Sequence, residues 1–376
     1  MADTTAAAAQ SSAYLAAQTA SLESQTPVAP SSARAAQVPL QNFDLPVFPQ
    51  EAFTSGLTSL ILTSDIKLDE YTSLLDQAFS IPPLPPSITS LTLELFSLGY
   101  PPAFLSELGK ALPNLKALTL YSQLFGGTTE HSRDDAVAFL KSQKGLREIH
   151  FLDVFTSPGL MGRLAESLGD DVKFVELSYT FRHSDPVGFR GSLPVTELEN
   201  LVRKGLVALT VGIVAPDVTP DEEDREGTEV GIVPVVQKDG KGLVERLKGG
   251  DGDELVMLDI TMVEVGVEDV KSILEKCKKL KVLSVSVGLV TGWDEVFEGL
   301  KKDLAGLEML ELVGVPGEGL VDKLTAGEQG AGQLTAEMLT KVSEVCPELS
   351  SVKTSILRTK GEHWMRESGG SWKKQA

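Results

Sequence analysis

KCKKLKVLSV, residues 276–285, sets Leu280, Leu283 and Val285 at the spacing Leu-x-x-Leu-x-Leu directly after an amphipathic run. The same hexapeptide, with Ile, Val or Phe allowed at the apolar places, recurs along the chain. It reads LTSLIL from Leu57, ITSLTL from Ile88, LKALTL from Leu115 and LREIHF from Leu146. It continues as VKFVEL from Val172, LVALTV from Leu206, LVMLDI from Leu255 and LEMLEL from Leu307, with a degenerate copy, LSSVKT, from Leu349. One copy would describe any amphipathic strand. Ten copies at similar spacing are a repeat, and a repeat decides the architecture before any local reading does.

Most copies start 25 to 34 residues after the last, room for one strand and one helix. The two longer steps, from Leu206 to Leu255 and from Leu307 to Leu349, hold an acidic stretch (216–241) and a Gly-rich stretch (314–333), both expected to be loops. Between strands the spacing turns helical. Val270, Ile273, Leu274 and Cys277 share one face, as do Met338, Leu339, Val342, Val345 and Cys346. Leu198, Leu201 and Val202 predict a third helix after Pro194. Ser132/Asp135, Thr196/Glu199 and Thr291/Asp294 are the expected capping pairs. Cys277 and Cys346 each precede a repeat start by three residues, so they occupy one place in two repeats and read as buried, unpaired thiols.

Strands that alternate with helices at this pitch form a parallel sheet. The expectation is an α/β solenoid, a horseshoe of about ten irregular repeats, strands on the concave face and helices on the convex. The solenoid should span 43–357, between an Ala/Ser-rich disordered tail (1–42) and a basic flexible tail (358–376).

The junctions ALPNLKALTL from Ala111, KCKKLKVLSV from Lys276 and VCPELSSVKT from Val345 resemble those of the irregular leucine-rich-repeat superfamily of ribonuclease-inhibitor type. They are similar to the repeat part of F-box adaptors, the substrate-recognition subunits of ubiquitin ligases, which bind targets on the concave face. The resemblance covers about residues 50–357. The Asn or Cys ladder that often follows the hexapeptide is missing, and no F-box is evident ahead of Leu57. The resemblance implies a protein-interaction scaffold or adaptor; the ubiquitin-ligase role is the alternative, and an enzyme with an unrecognised site a more distant one.

Charge narrows the partners. Net charge is −19, a field that repels nucleic acid and anionic lipid. No run of about 18 apolar residues appears, so no membrane span is expected. Two cysteines signal no disulfide framework, and the first basic residue is Arg34, unlike a signal peptide; the cytoplasm or nucleus is expected. The four histidines lack metal-ligand spacing, and GEQGAGQLT from Gly327 puts Gln333 where a phosphate loop needs lysine. No catalytic residue, cofactor or metal is expected.

In each hexapeptide the fourth and sixth residues should face the core, and the third, the fifth and the residue just after it the concave surface. That rule predicts a partner face bearing Glu94, Tyr121, Glu148, His150, Phe174, Glu176, Met257, Asp259 and Glu311, centred on Tyr121, Glu148, His150, Phe174 and Glu176. Its acidity favours a protein or peptide with a basic segment.

Overall fold

The computed structural model describes residues 34–40, 53, 55–64, 80–94, 99–127, 129–180, 193–214, 240–298, 306–328, 330, 332–356 and 361–375. The acidic stretch 216–241 lies outside them apart from its last two residues. Of the 1–42 tail, 34–40 are described, and they form a strand.

Among the described residues, thirteen strands make one sheet whose spatial order is the order of the sequence. They are β1 (Arg34–Leu40), β2 (Leu57–Ser64), β3 (Ser90–Glu94), β4 (Ala117–Leu124), β5 (Glu148–Phe155), β6 (Phe174–Thr180) and β7 (Ala208–Val214). Then come β8 (Met257–Val265), β9 (Val282–Leu289), β10 (Met309–Pro316), β11 (Ser351–Ile356), β12 (Glu362–Arg366) and β13 (Trp372–Lys374). Strands β1 to β11 pair in parallel; β12 and β13 turn back as an antiparallel hairpin. The α-helices among the described residues are α1 (Phe104–Ala111), α2 (Glu130–Ser142), α3 (Leu160–Ser167), α4 (Lys241–Arg246), α5 (Val267–Lys276), α6 (Asp294–Phe297), α7 (Glu318–Thr325) and α8 (Ala336–Val345). Adjacent strands sit about 4.8 Å apart, whereas packed helices need about 8–10 Å. Helices or 3-10 turns packed behind most of the strands therefore bend the sheet toward its bare face. The chain is a leucine-rich-repeat solenoid.

The hexapeptide explains the core position by position. Its first residues, from Leu57 to Leu349, are buried in every copy, and so are the fourth and sixth. Cys277 and Cys346 end α5 and α8 in the same way, each donating its backbone N–H to the carbonyl four residues back (Ile273 and Val342, both at 2.8 Å). Both are free thiols, and burial pushes the pKa of each up to about 11.

Capping is done differently from the expected pairs. The cap of α2 is Thr129, whose hydroxyl accepts from Ser132 N at 3.2 Å. Asp135 instead reaches into the preceding repeat, accepting from Leu105 N and Ser106 N, both at 3.1 Å, at the start of α1. Helix α1 begins at a left-handed Ala103 that has no capping side chain of its own. Helix α3 begins likewise at left-handed Gly159, and Glu197 of the next repeat accepts from Gly159 N (2.8 Å) and Gly162 N (3.1 Å). Arg203 closes the other end of α3, donating to the carbonyls of Leu168 (2.7 Å) and Gly169 (3.1 Å). That double clamp accounts for the segment predicted to be a third helix, which forms two 3-10 turns, Val195–Glu197 and Glu199–Leu201. Eight α-helical residues span about 12 Å. The segment from Glu197 to Arg203, part 3-10 and part extended, runs between the two ends of α3. At Thr291, Glu295 rather than Asp294 accepts the amides, including Val290 N and Gly292 N at 2.9 Å.

Two segments expected to be loop or tail carry structure. The Gly-rich 314–333 stretch holds the end of β10 and all of α7, anchored by buried Leu320, and Thr335 caps α8 by accepting from Met338 N at 3.2 Å. The basic tail is the β12–β13 hairpin. Trp372 is buried and donates its indole N–H to Ser343 Oγ at 2.9 Å. The end of a solenoid leaves a core face open, and Trp372 of this hairpin packs over it.

Candidate interaction surface

Parallel register stacks equivalent residues into rows across the concave face. One row runs Ser90, Ala117, Glu148, Phe174 on β3–β6 and Ala208, Met257, Val282, Met309 on β7–β10. It ends at Ser351 and, across the antiparallel turn, Met365. Two residues further along each strand lies a second row. It runs Thr92, Thr119, His150, Glu176 and then Thr210, Asp259, Ser284, Glu311, followed by Lys353 and His363.

The first row is apolar in its middle. Phe174, Ala208, Met257 and Val282 form a small buried cluster of their own, separate from the main core. The separation follows from side-chain alternation, which puts them on the other side of the sheet from the hexapeptide leucines. Phe174 was expected to stand open; it is only 8% exposed because neighbouring rungs cover its ring. Beyond the cluster the row opens, with Met309 38% and Met365 36% exposed.

The second row carries the charge. His150 Nδ1 and Glu176 Oε2 are 2.7 Å apart. Asp259 Oδ1 accepts from Thr261 N (3.3 Å) and Thr261 Oγ1 (3.2 Å), which holds the first turn of a bulge in β8. Burial, then the Glu311 carboxylate, push Asp259 up to about 7 against those hydrogen bonds; Glu176 adds to the rise. The Thr210 hydroxyl, one rung from both Glu176 and Asp259, is buried and makes no hydrogen bond. His363 lies at the far end with its Nε2 3.1 Å from Ser351 Oγ, and burial and Lys353 lower its pKa.

The expected centre divides. Glu148, His150, Phe174 and Glu176 are neighbours on β5 and β6. Tyr121, 43% exposed on β4, lies four residues further along its strand than the Phe174 row. With two strand spacings added, it sits roughly 16 Å from Phe174. Glu94 is exposed on β3, and Met257, Asp259 and Glu311 lie on β8 and β10. Sequence reasoning missed Met365 and His363, although the alternation in EHWMR (362–366) is a strand signal. Among the described residues no group of three or more His, Cys, Asp or Glu is placed to hold a metal, and no helix is long and apolar enough to cross a membrane.

Solved structures align with the chain along most of its length. One is the leucine-rich-repeat protein LegL7 of Legionella pneumophila, at 15% identity and TM-score 0.40, with 90% of this chain and 92% of that one aligned. Another is TLR13 in a complex with ssRNA13, at 12% identity and TM-score 0.34, with 85% of this chain and 37% of that one. No family model and no curated protein matches the chain.

Proposed function

We propose that the chain is a protein-binding scaffold that takes its partner on the concave sheet face between β5 and β12. The observation behind this reading is the apolar cluster of Phe174, Ala208, Met257 and Val282 on the face opposite the core, continued by exposed Met309 and Met365. The exposed methionines at the end of this buried floor, beside the carboxylates of the second row, have the make-up of a binding patch: an apolar centre with a polar edge. The partner is a protein or peptide rather than nucleic acid, since a net charge of −19 opposes a polyanion. Two free cysteines suit a reducing compartment, the cytoplasm or nucleus.

The test is capture from native cells at low salt by the tagged chain and by two variants. Met309→Lys charges the concave strip. Val321→Lys charges an equally exposed place on helix α7 (43% exposed). A stoichiometric partner should be lost with Met309→Lys and kept with Val321→Lys. The reverse pattern would move the binding surface to the helices.

A further inference from the structure

The two rows together specify more than a patch. Building on the concave-face reading, we propose that the occupant is an amphipathic helix laid across β6 to β12. Its apolar stripe lies on the Phe174–Met365 row, and its lysine or arginine side chains lie over Glu176, Asp259 and Glu311.

The dimensions agree. The rows are two residues apart along the strands, about 7 Å, so a helix about 10 Å wide covers both. Glu176, Asp259 and Glu311 lie on alternate strands, at a spacing of about 10 Å. Residues i and i+7 of a helix are about 10.5 Å apart and share a face. The apolar row offers a buried floor from Phe174 to Val282 and two exposed methionines beyond it. Unbranched, polarisable methionine adapts to the shape of an incoming apolar stripe.

The charges agree as well. The ionisable groups of the second row are His150 on β5, Glu176 on β6, Asp259 on β8, Glu311 on β10, Lys353 on β11 and His363 on β12, with Glu148 in the first row, Glu264 further along β8 beside Ser286, and Lys373 beside Met365. The sign thus reverses between Glu311 and Lys353, which sets a direction: the helix N-terminus toward β6 and its negative C-terminus toward Lys353. A cation over Asp259 favours its ionised form, so seating the helix releases a proton, and affinity rises with pH through about 7.

The probe is a fluorescein-labelled synthetic peptide of about 18 residues, with a leucine stripe of helical period and lysines at seven-residue intervals on its flank. A control peptide carries glutamate in place of lysine. Both are titrated against the full chain and against Glu176→Gln/Asp259→Asn/Glu311→Gln, whose folding is checked by its thermal melt. The lysine peptide should bind, gain helicity in far-ultraviolet circular dichroism and lose about tenfold or more in affinity to the triple variant. Equal binding of both peptides, or no loss with the triple variant, would overturn the cationic helix. A cellular partner lost to Met309→Lys but kept by the triple variant would overturn it too, while leaving the concave-face reading standing.

Discussion

At the scale of single residues, carboxylates do two separate jobs. On the convex side Asp135 and Glu197 satisfy amides at helix starts that have no cap of their own. Replacing either by alanine strands two N–H groups and should cost about 1–2 kcal/mol in urea unfolding. The two sites lie in different repeats, so the double variant should be additive within about 0.5 kcal/mol. On the concave side Asp259 is held at about 7, above the ordinary 3.8. A carboxyl raised in the folded state binds its proton more tightly there, so its ionisation costs stability as pH rises from 3.8 to about 7. Asp259→Asn keeps the Oδ1 acceptor for Thr261 and removes that cost. It should match wild type near pH 4 and exceed it by roughly 2 kcal/mol at pH 8, after allowance for solvent screening. A constant difference across that range would mean that Asp259 does not titrate there.

At the scale of elements, how much could be read from the sequence depended on whether a signal was local. The strands were legible because Leu-x-x-Leu-x-Leu states both the period and the buried side. Helices α5 and α8 were legible from their apolar faces, down to Cys277 and Cys346. The 3-10 turns at 195–201 were not, because their path is set by where Glu197 and Arg203 meet α3, about 35 residues back. The capping pairs failed for the same reason: Asp135 sits at a plausible spacing from Ser132 but bonds across repeats. The C-terminal hairpin was misread because two short strands in a basic segment look like a solvated tail until β11 supplies an edge. Trp372→Ala should therefore destabilise the protein by about 3 kcal/mol, far more than a tail residue would. A melt unchanged by that substitution would return 361–375 to the status of an appendage.

At the scale of the whole molecule, the described repeats pack mainly on their neighbours, so the proposed binding face is assembled by strand register. A residue two places further along every strand changes row, which is why Phe174 and Tyr121, both outward-facing, do not share a site. The residues expected on the proposed partner face could be named from the sequence but not mapped, since the apolar and acidic rows appear only after the strands are stacked. The net charge of −19 lends the face a long-range field, so association with a basic partner should slow several-fold between about 50 and 300 mM salt, read by stopped-flow.

Methionine oxidation reports most directly on where the partner sits. Met309 and Met365 are exposed on the concave side, whereas Met338 is half-buried on helix α8. Brief peroxide treatment with and without the captured partner, followed by mass spectrometry of the sulfoxides, compares all three in one sample. Slower oxidation of Met309 and Met365 with Met338 unchanged is the predicted result; protection of Met338 alone would contradict a concave binding face.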